Sequence, residues 1–598
     1  MENRTVDVRD TRFVLYEQLG IEDLCTTKKF EDHSRETFEM IVDTAEKLAL
    51  NEFAPANSEG DEIGCHIEDG IVKAPGIFKT PFQKYCEGGW MSLPDDYEVG
   101  GQNAPVCVSF ASHELFFGAN MALTAYMGLT HSAAKVIELY GTEEQKRKYM
   151  QPLYEGTYGG TMDLTETMAG SDVGAARTKA VKNPDGSYSI TGGKIFITGG
   201  DHNFTDNIVH IVLARIEGAP EGTRGLSCFI VPKYRVNDDG TPGEANDLVC
   251  SGVEHKMGLR GSTTAVLNFG DNGACRGELL GPEQKGIVVM FHMMNEQRLL
   301  VGLQGLSQGS AAYLHALDFA RERKQGGKFG TKSFVQVPII THPDVKRNLL
   351  WMKAYTEGLR AAILFTAYCM DRDASSTDED EKAKWHNMVE LMTPISKAYS
   401  TDRAFEICTR SIQVHGGYGF CKEYKVEQFA RDCKITSIYE GTNGIQSMDL
   451  FGRKIRMKDQ AALKAVLSEM KTAVETASKV DELTSYAGEV AKSITALEEI
   501  TRFLLEQASG DDPYLAQSWA TPYLEIFGDI VLAWMFIWQA KAACDALAAG
   551  GDSRFYTAKI NTAKFYIGSL LPLVYGKIDA IKRYDRTLSL MGEDEFPQ

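Results

Sequence analysis

The chain has 12 cysteines, yet none are spaced as Cys-x-x-Cys and no Cys/His cluster stands at zinc-ligand spacing. Neither a structural zinc nor a disulfide framework is expected, and no other metal site is read; reduced thiols in a cytoplasmic setting are. Also missing are GxGxxG after a strand and GxxxxGK[ST], so Rossmann and P-loop readings have no support. Positive charge is scarce: 63 Lys and Arg stand against 82 Asp and Glu, a formal net charge of -19. A duplex nucleic-acid partner needs a basic footprint and is excluded. Small anionic ligands stay open, because local cations meet them whatever the net charge. The opening stretch from Met1 to Phe13 lacks an apolar h-region, so no secretory signal is expected. The most apolar run, Ile530 to Trp538, is nine residues and too short to span a bilayer. With Phe527, its Ile530, Val531, Trp534 and Trp538 recur at helical spacing, which predicts a core-facing stripe and no membrane span.

What is present is ordinary for a globular protein: 43% hydrophobic and 24% charged over 598 residues, enough for several domains. Up to about residue 159 the period is helical, as in Thr37 to Leu50, and Thr142 with Glu143, Glu144 and Gln145 reads as a capped helix start. From 160 to 288 short β-rich runs alternate with turn residues, and Asn183-Pro184-Asp185-Gly186 reads as a hairpin. The helical period returns over 289–456, where the acidic run Asp378 to Glu381 is expected to be a solvated loop. A further helical region, 457–598, has expected breaks at Gly510 to Pro513 and Gly550 to Asp552. The order is helical, β, helical, helical, with no internal repeat.

Three segments could carry chemistry. Thr165-Glu166-Thr167-Met168-Ala169-Gly170-Ser171-Asp172 puts small and hydroxyl residues in a turn whose N–H groups can approach a phosphate. Lys194-Ile195-Phe196-Ile197-Thr198-Gly199-Gly200 is an alternating strand ending in Thr and two glycines. Ile438-Tyr439-Glu440-Gly441-Thr442-Asn443 sets a carboxylate beside a glycine ahead of a helical pattern. Taken singly, each reads as an ordinary loop, strand end or surface glutamate.

Together and in this order they resemble the acyl-CoA dehydrogenase family, whose motifs read T-E-x-x-A-G-S-D, then [W/F]-I-T, then I-Y-E-G-T. The likeness includes Tyr140 to Lys146, Lys256-Met257-Gly258-Leu259-Arg260-Gly261-Ser262-Thr263-Thr264, Arg321 to Gly326 and Val414-His415-Gly416-Gly417-Tyr418-Gly419, covering about residues 30–455. It departs from the family at Thr167-Met168, where Pro-Gly is usual. The resemblance implies an α+β fold: an N-terminal helical domain (1–159), a middle β domain (160–288) and a catalytic helical bundle (289–456), with FAD between the last two. The extra C-terminal helical domain (457–598) looks like the roughly 600-residue bacterial branch that includes 3-methylmercaptopropionyl-CoA dehydrogenases.

By the same resemblance Met162, Leu164 and Thr165 line the flavin, Gly170 and Ser171 approach the cofactor phosphates or acyl-CoA, and Phe196, Ile197 and Thr198 cover the ring. Thr442 and Asn443 meet FAD, while Arg323, Gln413, Gly416 and Gly417 reach the adenosine half of FAD in a neighbouring subunit. Arg298 matches an arginine associated with acyl-CoA, and Gly441 allows close backbone approach. Glu440 is the expected base: removing a thioester α-proton needs a carboxylate close by and stabilisation of the enolate oxygen. Desolvation by the acyl chain should raise its pKa toward operating pH. The hydride needs flavin N5, since no side chain accepts one. The product would be trans-2-enoyl-CoA, the next electron acceptor electron-transferring flavoprotein, and the assembly a homodimer. An acyl-CoA oxidase, a silent flavoprotein and a helical binding protein are the competing readings.

Overall fold

The computed structural model describes residues 3–332 and 335–597. Residues 1, 2 and 598, the extremes of the first and last expected domains, lie outside the described residues, as do 333 and 334. The chain forms two compact units: Phe38–Ala104 with Leu115–Arg298, and Arg4–Thr37 with Pro105–Glu114 and Leu299 onward.

In the first unit, helix α1 (Arg35–Leu48) buries Phe38, Ile41, Val42 and Ala45, the three- and four-residue spacing of its sequence. Helix α2 (Val106–Tyr140, whose residues up to Glu114 lie in the other unit) leaves helical geometry at Asn120, and its chain restarts where Asn120 Oδ1 accepts from Leu123 N at 3.0 Å. The capping box forms as expected: Thr142 Oγ1 accepts from Gln145 N (3.2 Å) and Gln145 Oε1 from Thr142 N (3.0 Å).

The β segment makes one eight-stranded sheet from β1 (Tyr158–Asp163), β2 (Lys179–Lys182), β3 (Tyr188–Thr198), β4 (Asn207–Ile216), β5 (Leu226–Pro232), β6 (Leu248–Val253), β7 (Thr264–Phe269) and β8 (Arg276–Leu280). Its order is β6-β7-β3-β8-β5-β4-β1, and β2 pairs with both β3 and β4. That double pairing closes β3, β8, β5, β4 and β2 into a ring, which removes edges from the middle of the sheet. Asn183 to Gly186 forms the β2–β3 hairpin, with Lys182 opposite Tyr188 and Gly186 at φ +88°, where glycine carries no Cβ penalty. Strands β4 and β5 are buried along nearly their whole length.

The second unit is helical. It includes α3 (Gly286–Glu322, whose first turns lie in the other unit), α4 (Pro343–Ser375), α5 (Glu379–His415), α6 (Val426–Lys434) and α7 (Asn443–Gly452). The C-terminal helices α8 (Ala461–Ser478), α9 (Thr484–Gln507), α10 (Ala520–Ala548) and α11 (Ser553–Phe565) come after these. Two readings are corrected. The acidic run is not a loop: Asp378 caps α5 by accepting from Glu381 N at 2.8 Å, and Glu379, Asp380 and Glu381 fill its first turn, where the helix dipole favours anions. The run Ile530 to Trp538 belongs to a 29-residue helix, buried around its circumference instead of along one stripe. By length and composition α2 and α10 could each cross a membrane, but their apolar windows are 89% and 83% buried inside the protein.

A buried charge cluster joins the N-terminal segment to the C-terminal helices within this unit. Arg360 donates to Asp10 (2.6 Å) and Glu114 (2.7 Å), and Lys559 to Asp10 (2.6 Å) and Glu357 (2.8 Å). Lys353 also pairs with Glu357. Three cations and three carboxylates cancel, the condition under which buried ions are tolerated.

Candidate active site

In the first unit the T-E-x-x-A-G-S-D segment leaves β1 and folds into a two-residue hairpin, with reciprocal bonds Glu166 N to Ala169 O (3.1 Å) and Ala169 N to Glu166 O (2.9 Å). Thr167 and Met168 form its tip, and neither is left-handed, so the turn closes without Pro-Gly. Glu166 anchors it by accepting from Arg177 N (2.6 Å), Thr178 N (3.0 Å), Thr178 Oγ1 (2.6 Å) and Lys194 Nζ (2.8 Å). Burial would raise the Glu166 carboxyl, but Lys194 and these donors hold it below the usual range. Lys194 also donates to Leu164 O at 3.0 Å, and burial lowers its own pKa despite Glu166. Leu164 is buried, Met162 and Thr165 are half-buried, and Gly170 and Ser171 are exposed.

Strand β3 bulges where it pairs with β7: Ala265 faces Ile197 but Leu267 faces Lys194. Inside the bulge Phe196 is left-handed (φ +58°) with its side chain 59% exposed. Bulges re-aim side chains, and strain of this kind persists only where the surroundings fix it. Ile197 is buried, while Thr198 is half-buried opposite Thr264. An exposed aromatic ring, two half-buried threonines and open space at Gly170, where a Cβ would meet nothing, are a donor set and a cradle that fit a flavin.

Beside Ser171 lies a cavity of about 710 Å³ lined by Asp172, Arg177, Lys179, Arg215, Glu217 and Glu221, among others. Arg298 is buried on α3. Its neighbour Gln297 donates to Gly128 O (3.1 Å) and Ser132 Oγ (2.5 Å), and Glu296 pairs with His131 Nδ1 at 3.2 Å. His131 Nε2 meets Asp95 at 2.8 Å; burial would lower its pKa, but Asp95 and Glu296 raise it well above the ordinary value.

In the second unit Glu440 is also left-handed (φ +56°), with Gly441 next at φ +82°. Thr442 caps α7, its Oγ1 accepting from Ile445 N at 3.2 Å. Asn443 turns its amide to α5, bonding Ala398 O (3.1 Å) and Thr401 Oγ1 (2.9 Å). Lys397 Nζ donates to Gly441 O (2.8 Å) and Asn443 Oδ1 (2.9 Å), and Gln446 Nε2 reaches Glu440 O and Gly441 O, both at 3.4 Å. Arg323 is brought together with the end of α5, its guanidinium 5.4 Å from the Tyr418 ring, beside exposed Gln413, Gly416 and Gly417. Gly416 ends α5 at φ +63° with open space around it.

Family models match almost the whole chain: acyl-CoA dehydrogenase N-terminal domain at 35–157, middle domain at 161–271, C-terminal domain at 284–455, and acetyl-CoA dehydrogenase C-terminal like at 466–591. A 3-methylmercaptopropionyl-CoA dehydrogenase of Ruegeria pomeroyi is 39% identical, with 88% of this chain and 90% of that protein covered. The chain belongs to the acyl-CoA dehydrogenase family. A broad-specificity linear acyl-CoA dehydrogenase of Mycobacterium tuberculosis is 37% identical over all of both chains. The solved structure of Caenorhabditis elegans ACDH-11 with C11-CoA superposes with TM-score 0.74 over 98% of this chain and 94% of that one, which at 20% identity bears on the fold alone. The protein is thus a FAD-dependent acyl-CoA dehydrogenase, with the family's three domains and an added C-terminal helical domain.

Sequence reasoning did not single out Lys194, Lys397, Gln446 or His131 as supports of these loops. For the two lysines the available signal was a cation inside a strand or helix, a placement that demands a partner when buried.

Proposed function

We propose that the protein dehydrogenates a short or medium acyl-CoA, 3-methylmercaptopropionyl-CoA among them, with Glu440 removing the α-proton. Two relatives support an acyl-CoA substrate, one acting by name on 3-methylmercaptopropionyl-CoA and the other, with broad specificity, on linear acyl-CoAs. The observation that supports the base is that Glu440 stands in the I-Y-E-G-T segment within the matched C-terminal family domain, in a left-handed turn whose Glu440 and Gly441 carbonyls meet Gln446 and Lys397. FAD supplies the hydride acceptor, which the protein has no side chain to replace. Met162, Leu164, Thr165, Gly170, Ser171, Phe196, Ile197, Thr198, Thr442 and Asn443 would hold that cofactor. Arg177 and Lys179, exposed at the rim of the cavity beside Ser171, suit the phosphates of CoA, and Arg298 is assigned to the same ligand. Gly441 and the main-chain N–H of Glu440 would meet the thioester.

Electrons then pass to electron-transferring flavoprotein in cytoplasmic β-oxidation. The exposed corner of Arg323, Gln413, Gly416 and Gly417 fits the adenosine half of a neighbouring subunit's cofactor, which supports an assembly of at least two subunits, and the added C-terminal helices favour a homodimer over a tetramer. Light scattering during gel filtration should give about twice 66.1 kDa. The deciding experiment is a panel of acyl-CoAs with an artificial acceptor, run on wild type and Glu440→Gln. The variant should keep FAD and bind acyl-CoA but bleach the flavin about 10²–10⁴-fold more slowly. Near-normal bleaching would overturn the role of Glu440, and rapid peroxide formation under air would indicate an oxidase.

A further inference from the structure

We infer that Lys397 is a positioning residue for proton abstraction, its buried ammonium holding the Glu440–Gly441 backbone in the conformation that presents the Glu440 carboxylate. The inference rests on the reading of Glu440 as the base. Lys397 lies mid-way along α5, fully buried. Its Nζ contacts Gly441 O at 2.8 Å and Asn443 Oδ1 at 2.9 Å, one on each side of Thr442. Gln446 Nε2 approaches the carbonyls of Glu440 and Gly441 from α7, and Tyr439, on the other flank, donates from its hydroxyl to Gln304 of α3 at 2.5 Å.

A non-glycine residue in left-handed backbone relaxes unless its surroundings over-determine it. The restraint here comes from donors aimed at carbonyls, and a charged donor bonds a carbonyl about twice as strongly as a neutral one. Burying an ammonium only to fill space would be costly, since an apolar side chain packs as well without desolvation. Other ionisable groups about the turn include Tyr439, Asp432, Cys433 and Lys434, whose Nζ donates to Ser437 Oγ at 3.1 Å, with Asp402 five residues beyond Lys397 on α5. Burial raises Tyr439, with Glu440 adding to the effect, and burial raises Asp402 as well. Neither group donates to the carbonyls that Lys397 and Gln446 hold.

A base misplaced by about 1 Å can slow reaction roughly 10²-fold. Lys397→Met should therefore slow flavin reduction roughly that much at saturating substrate, with KM changed by no more than about threefold. The primary isotope effect from α-deuterated acyl-CoA should rise, because proton removal becomes more fully rate-limiting. FAD content and binding of a non-reducible acyl-CoA analogue, monitored by flavin absorbance, should stay at wild-type levels. Lys397→Arg should recover most of the rate, and a crystal structure of Lys397→Met should show the 440–441 peptide rotated away from φ +56°.

Should Lys397→Met fail to fold, Gln446→Leu removes the second donor and must slow the same step with a raised isotope effect. Near-normal reduction in Lys397→Met overturns the inference, as does near-normal reduction in Gln446→Leu where the first variant is lost. The control separates the two claims. If Glu440→Gln bleaches its flavin normally, the base assignment fails; if it is slow while Lys397→Met is normal, only the positioning role fails.

Discussion

Replacing Lys559 by Met asks whether charge fastens the N-terminal segment to the C-terminal helices. Lys559 is 1% exposed and satisfies two carboxylates, Asp10 at 2.6 Å and Glu357 at 2.8 Å. Methionine keeps most of the length and volume, so the perturbation is electrical more than steric. It leaves two cations, Lys353 and Arg360, facing three buried carboxylates. An uncompensated buried charge costs about 3–5 kcal/mol, and Lys559→Met should destabilise by that much. Asp10→Asn alone should also be costly, since it strands positive charge. The double variant restores two against two, so it should lose less than the sum of the singles by about 0.5–3 kcal/mol. Lys559, Arg360 and Lys353 hold Asp10 below the usual carboxylate range against the effect of burial. A depressed folded pKa stabilises at and above the ordinary carboxylate range and loses that contribution as pH falls below it. Wild type should thus converge on Asp10→Asn in acid. Urea unfolding monitored by tryptophan fluorescence suits the test, because Trp534 is buried in α10 beside Trp538, ring centroids 6.4 Å apart. A loss below about 1 kcal/mol, or strict additivity, would refute the reasoning.

Arg323→Ala should weaken FAD retention more than it slows FAD-saturated enzyme, since Arg323 sits at the exposed corner by Tyr418 and is assigned to the distal half of the cofactor. FAD content after gel filtration, compared with rates in added FAD, separates these; low activity at full occupancy would contradict the role. His131→Gln should destabilise most below about pH 6.5 and progressively less as pH rises above it, because a raised folded pKa stabilises fully below the ordinary value and is lost above the folded one. Melting temperatures measured as pH rises decide it, and a pH-independent difference would show that His131 is not held protonated.

Local rules were legible in the sequence. Thr142 and Gln145 stand at capping-box spacing, Asn183 to Gly186 is turn chemistry, and Phe38 to Ala45 alternates at helical period, each settled within a few residues of chain. The acidic run was misread because charge and capping compete as signals: Asp378 three residues before Glu381 is also an N-cap pattern. Long-range pairing was illegible. Asp10 and Lys559 are 549 positions apart, and neither carries a local mark of its partner. The left-handed turns at Phe196 and Glu440 were hidden too, since Phe and Glu are poor signals for a conformation usually flagged by Gly or Asn.

Those two left-handed residues share a pattern of support. Phe196 stands two positions after Lys194, and Lys194 sends its ammonium to Leu164 O and Glu166. Glu440 precedes Gly441, whose carbonyl takes the ammonium of Lys397. In each case a buried lysine bonds main-chain oxygen in a motif loop instead of ending on a carboxylate alone. Left-handed backbone costs about 1–3 kcal/mol, and a hydrogen bond from a charged donor contributes about 1.5–3 kcal/mol, so the Lys397 bond to Gly441 O is of the size needed to hold the turn at Glu440, whereas Lys194 fixes the neighbouring 164–166 segment and not the Phe196 peptide itself. Glycine at either position would remove the strain, but it would also remove the ring or the carboxylate. Keeping both residues despite their conformational cost is what a flavin-covering ring and a proton-abstracting carboxylate would require.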